Sequence, residues 1–107
     1  MKPSELYAQY LSMSRLFTER ATSVAFDALA QNFKSLNETK KSANQLIELA
    51  EQLKEIVPQA NPSDPANADF VDSMTIQISS YKQIVAQIDD ATLLSVHGSK
   101  MTDEGTN

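Results

Sequence analysis

Three carboxylates, Glu48, Glu51 and Glu55, recur at spacings of three and four residues, so a helix would align them on one flank where they could jointly hold a metal ion. The Glu-x-x-His partners that complete a helical two-metal site are missing, and the flank reads as a charged face turned to solvent. A small helical metal-binding protein is kept as an alternative class of function on these three residues alone. His97, the single histidine, stands beside Gly98 at what reads as a helix end. No serine or aspartate joins it in a pattern of nucleophile, base and orienter, so it reads as a structural residue near the negative end of a helix dipole. Asp69-x-x-Asp72 and Asp89-Asp90 lack the ligand number and the turn glycine of a calcium loop. There is no cysteine, which removes thiolate nucleophiles, thiolate metal sites and disulfides together, and both glycines fall at positions 98 and 105, which leaves no phosphate-cradling loop in the body. The residues give no catalytic, cofactor or metal site, and the chain reads as non-enzymatic.

The balance of charge narrows the partners. A formal net charge of −5 argues against tracking a phosphate backbone, whose affinity comes from lysine and arginine, and the same sign disfavours anionic membrane surfaces. No apolar run approaches the roughly 18 residues that would span a bilayer, so membrane insertion is not expected. The opening Met1-Lys2-Pro3-Ser4-Glu5 carries no apolar stretch before a small-residue cleavage site. An intracellular, cytoplasmic location is therefore the expectation, with export lacking a cleaved signal left open.

The elements that must position any surface are set by the helix breakers. Pro58, Pro62 and Pro65 cluster in one short window, whereas Ser4 to Val57 and Ala66 to His97 contain neither proline nor glycine. This spacing predicts helices over about 4–57 and 66–97 joined by a loop at 58–65, in one domain of residues 1–98, with a flexible polar tail at 99–107. Asp64 is a good N-cap and Pro65 fits the first helical turn. Val71, Met74, Ile78, Tyr81, Val85 and Ile88 form a heptad seam on the second helix. In the first run, one stripe passes through Leu6, Tyr10, Met13, Phe17 and Val24, and a second begins at Phe26 and continues through Leu29, Phe33 and Leu36 to Val57. At about 100° per residue Val24 and Phe26 point to nearly opposite sides, so the buried face switches near Arg20 to Ser23. Thr22 or Ser23 is able to cap a new helix there, with Asp27 in its first turn.

The expected fold is all-α, a long antiparallel helical hairpin resembling a coiled coil, with the N-terminal segment either extending helix 1 or folding back as a third helix. Matching lengths pairs Phe26–Val57 with Ala66–His97 and leaves residues 4–25 without cover. Since no proline or glycine marks a break, the extended form is favoured. Leu6, Tyr10, Met13 and Phe17 then become candidate partner-binding residues, because an apolar stripe of that size is seldom left in water. The second helix adds Gln77, Ser80 and Gln87: between Ser73 and Ile88 the sole charge is Lys82, and interfaces are depleted in charge. The expected function is that of a subunit, adaptor or chaperone that acts through protein–protein interaction, either as a homo-oligomer or with a helical hetero-partner, and without a cofactor.

Asn61-Pro62-Ser63-Asp64-Pro65-Ala66, followed by an apolar helix that includes Tyr81, resembles the proline-bounded turn and second helix of type III secretion needle subunits. That resemblance implies a small helical hairpin that polymerises. It spans about a third of the chain, which differs in its much longer first helical run and in the polar residues that follow Gly98.

Overall fold

The computed structural model describes the backbone of residues 2–105 and side chains as far as residue 94. Four helices follow in order: α1 (Pro3–Ala21), α2 (Val24–Leu29), α3 (Phe33–Ala60) and α4 (Ala66–Gly105). The α3 and α4 helices form the expected antiparallel hairpin. The N-terminal segment folds back, so that α1 runs antiparallel to α3 and alongside α4 in an elongated bundle of 68 × 20 × 19 Å.

The favoured unbroken first helix is thus corrected, and the physical reason lies in hydroxyls instead of prolines. Thr22 Oγ1 donates to the Glu19 carbonyl at 2.7 Å and Ser23 Oγ to the Arg20 carbonyl at 2.9 Å, so two side chains take acceptors that the next helical turn would have used. The second break is a Schellman turn. Asn32 N donates to Asp27 O and Gln31 N to Ala28 O, with Gln31 in the left-handed region at φ 57°. Asn32 then caps α3, its side chain accepting from Ser35 N. Asp27, only 7% exposed, ties the two sides of this turn together by accepting from Ser35 Oγ at 2.8 Å and Ser23 Oγ at 3.2 Å.

The hairpin turn is shorter than the expected 58–65 loop. Helix α3 continues through Pro58 to Ala60, because a proline this close to the end removes only one backbone bond of the last turn. Asp64 caps as expected, its Oδ1 accepting from Ala66 N at 2.9 Å. At the far end α4 passes through Gly98 to Gly105 instead of stopping at His97-Gly98. A lone glycine inside a helix costs only about 1 kcal/mol relative to alanine, and the residues after it contain no proline. The tail expected at 99–107 is therefore helical to residue 105, while Thr106, Asn107 and the side chain of His97 lie outside the described residues.

The core sits where the three long helices meet. From α3 it takes Leu36, Ala43, Leu46, Ala50 and Leu53, all at 0% exposure, and alternation of alanine with leucine lets large rings from α1 approach. From α4 it takes Met74, Ile78, Tyr81 and Ile88, and from α1 Leu6, Tyr10 and Phe17. Phe26 and Leu29, expected to open the hairpin stripe, are instead 72% and 88% exposed, since α2 turns away from the line of α3. Buried Thr39 satisfies itself by donating to Ser35 O, and among the described residues no buried side-chain nitrogen or oxygen lacks a partner. Lys40 and Asp89 bridge α3 and α4 at 2.6 Å on the surface, a pair of small energetic consequence.

Two substitutions test this arrangement by urea titration. Leu53→Ala is expected to cost about 2–5 kcal/mol, whereas Phe26→Ala changes stability by less than about 0.5 kcal/mol; comparable losses at both would contradict the observed break. Gln31→Gly is expected to stabilise the fold by about 1 kcal/mol, because glycine carries no penalty at a left-handed C′ position. Destabilisation by that change would remove the Schellman turn from the description.

Candidate functional site

The sequence-expected partner residues divide into two groups. Leu6, Tyr10 and Phe17 are each 4% exposed, and Met13 packs against the same core, so their apolar surface is used within the chain. This corrects the expectation that they form an open stripe: once α1 folds back, the α3–α4 hairpin covers them. Gln77, Ser80 and Gln87 remain exposed on α4.

Tyr81 is where α1 meets α4. Its hydroxyl shares a 2.8 Å hydrogen bond with the hydroxyl of Tyr10, and its ring lies edge-to-face with Phe17 at a centroid distance of 5.3 Å. A second aromatic contact, Tyr7 against Phe70 at 6.2 Å, ties the helices one level nearer the turn. Burial, reinforced by the hydrogen bond to Tyr81, pushes the Tyr10 phenol well above its ordinary value of 10.0.

Beside these contacts α1 and α4 leave an open groove of about 360 Å³ lined by Ser14, Phe17, Thr18, Ala21, Thr22, Gln77, Ser80, Tyr81 and Ile84. Its walls take Ser14 and Thr18 from one stripe on α1 and Gln77, Ser80 and Ile84 from a stripe of matching spacing on α4. On α1, Tyr7, Leu11, Ser14 and Thr18 recur at i, i+4, i+7 and i+11, and on α4 Ser73, Gln77, Ser80, Ile84 and Gln87 do the same and run one step further. Neither stripe carries a charge. Lys82 lies on the other side of α4, in a recess shared with Glu51 and Lys54 of α3. Elsewhere on the same two helices apolar area remains open, with Leu11 50% and Ile76 65% exposed.

This groove has hydroxyls and amides over an aromatic floor, and its lining contains no carboxylate, imidazole or amine. It can hydrogen-bond and bury apolar surface. A second recess of about 370 Å³ between α1 and α3 is ringed by Arg20, Glu38 and Lys41, with Arg20 Nη1 donating to Ser42 Oγ at 3.3 Å. Glu48 and Glu51 lie on the exposed side of α3 with Glu55, and no cluster of three or more metal-ligating side chains occurs among the described residues. Among those residues no helix is long and apolar enough to cross a membrane.

Ser14, Thr18, Ala21 and Ile84 belong to the groove and were not singled out from sequence. For Ser14 and Thr18 the signal was present as the uncharged spacing 7-11-14-18, which becomes meaningful only once α1 is known to lie beside α4. The chain matches no protein-family model, no curated protein and no solved structure.

The tyrosine pair makes two measurable predictions. Tyr81→Phe leaves the Tyr10 hydroxyl unpartnered and is expected to cost about 1–3 kcal/mol, with the Tyr10→Phe/Tyr81→Phe double variant costing less than the sum of the singles. The pH dependence follows from the raised phenol. Below 10.0, the pKa of Tyr10 in the unfolded chain, the folded and unfolded states hold the same proton and stability is undiminished. Above it the folded state retains a proton that the unfolded state has lost, so stability falls as pH rises. Urea titrations on either side of pH 10 should show this fall lessened in Tyr10→Phe.

Proposed function

We propose that this chain is a non-enzymatic helical interaction protein, a subunit, adaptor or chaperone, whose groove between α1 and α4 receives an amphipathic helix from a protein partner. The observation that supports this reading most directly is the pair of parallel, charge-free stripes on a chain that otherwise carries 23 charged side chains, 9 basic and 14 acidic. A face kept free of charge costs little to desolvate, and interface cores are depleted in charge for that reason. The open groove has the form used when one helix lies in a cleft between two others, with apolar anchors at i, i+4 and i+7 meeting the aromatic floor. The hydroxyl and amide walls supply hydrogen bonds that fix the register of the incoming helix without the desolvation penalty of an ion pair.

The test places charge on the walls. Gln77→Glu combined with Ser80→Glu alters two exposed positions, so folding should change by less than about 0.5 kcal/mol for each. Proteins recovered by affinity capture from the native source are compared quantitatively for the native chain, this variant, and a control with Gln52→Glu on α3. The expected outcome is loss of the same partner from the groove variant and its retention by the control. Equal recovery by all three would refute the assignment of the groove.

A further inference from the structure

We propose that this chain also forms a domain-swapped dimer, in which the turns at 22–23 and 30–32 straighten, α1 to α3 become one helix, and α1 of each copy docks on the α3–α4 hairpin of its partner. The inference is independent of the reading of the groove, which the swap would rebuild with α1 from the second copy.

The turns that fold α1 back are unusually reversible in chemical terms. No proline or glycine lies between Ser4 and Val57, so nothing in that stretch forbids helix. The breaks rest on the Thr22 and Ser23 hydroxyls, the Asn32 cap and a left-handed Gln31, a conformation that a non-glycine residue adopts at a cost. Straightening removes that cost.

The buried faces are also in phase along a continuous helix. Tyr10 and Leu46 are separated by 36 residues, as are Phe17 and Leu53, and 36 residues make about ten turns at 3.6 residues per turn. The four residues are core residues in the folded-back chain, and they would share one side of a straight helix. The opposition expected between Val24 and Phe26 does not apply to the core, because Phe26 is exposed.

Orientation and length agree with a second copy as the occupant. Within one chain α1 runs antiparallel to α3, as the contact from Arg20 to Ser42 and the recess shared by Gln9 and Gln52 together require. Two straightened helices placed antiparallel about a twofold axis near Gln31 therefore present α1 to the partner's α3 in the sense it already has, and the assembly closes as a symmetric dimer. The receptor for α1 needs a hydroxyl facing Tyr10 and a ring facing Phe17, and another copy's hairpin supplies both at Tyr81. In addition, α4 has 40 residues against 28 in α3. At the register set by Lys40 and Asp89, Gly105 would stand level with Val24 of a straightened chain, since each lies 16 residues from its member of that pair. A straight continuation of α3 through α2 would thus have the α4 backbone beside it.

The chain has no cysteine, so engineered thiols report topology directly. Arg20→Cys with Ser42→Cys is refolded at high concentration, fractionated by size and treated with a short bismaleimide; Gln9→Cys with Gln52→Cys, which line one recess between α1 and α3, serves as a second pair. The expected result is a slowly exchanging dimer whose cross-links join two chains on a denaturing gel, beside a monomer whose cross-links stay within one chain. In the cysteine-free chain, sedimentation should show Asn32→Ala raising the dimer fraction and Gln31→Gly lowering the association constant roughly tenfold or more, since glycine relieves the left-handed turn and weakens a straight helix. A dimer cross-linked only within chains, or a monomer at all concentrations even with Asn32→Ala, would overturn the swap.

Discussion

Docking of α1 on the hairpin is the interaction from which the rest of the structure follows. A 19-residue helix that exposed Leu6, Tyr10 and Phe17 to water would forfeit about 1.5–3 kcal/mol for each of those side chains. That sum is comparable with the entire stability of a typical small domain. The cover is provided by the alanine and leucine rows of α3 and by Tyr81 of α4, which meets α1 through both its ring and its hydroxyl. The placement of α1 in turn forces the two breaks near residues 22 and 31, creates the groove beside α4, and turns Phe26 and Leu29 outward.

Much of the hairpin was legible in the sequence because its signals are local and strong. The proline cluster, the Asp64 cap and the seam through Met74, Ile78, Tyr81 and Ile88 each act within a turn or two, and the structure has all three. The fold-back was less legible because its determinants are weak residues by type. Thr22 and Ser23 are tolerated inside helices, and glutamine is uncommon in the left-handed region, so no residue announces either turn. Within a single chain, what selects the break is the tertiary gain from burying α1, which no local propensity records. Gly98 and Pro58 misled in the opposite direction: each is a breaker by type, yet one sits within α4 and the other within the last turn of α3.

The same reasoning separates the two groups of residues singled out as a partner surface. Gln77, Ser80 and Gln87 were marked by missing charge, a property that survives any packing arrangement, and they remain on the surface. Leu6, Tyr10, Met13 and Phe17 were marked by the absence of intrachain cover, a deduction that depended on an unbroken helix and fell with it. Composition of a face is therefore a sturdier guide to exposure here than length matching, which inherits every uncertainty about where helices end.

A chain without strong breakers between Ser4 and Val57 has two ways to bury one apolar face, and they differ in which hairpin receives it. The folded-back form gains the proximity of a tethered segment, whose effective concentration is high for a short connection. The extended form regains helix hydrogen bonds at two turns and frees Gln31 from a left-handed conformation. Both satisfy the same contacts at Tyr81, so the balance between them lies in the few residues of the turns and not in the core. Asp27 is the residue that most clearly favours the folded-back form: its carboxylate accepts from hydroxyls on either side of the turn, at Ser23 and Ser35, and so holds together segments that straightening would draw apart.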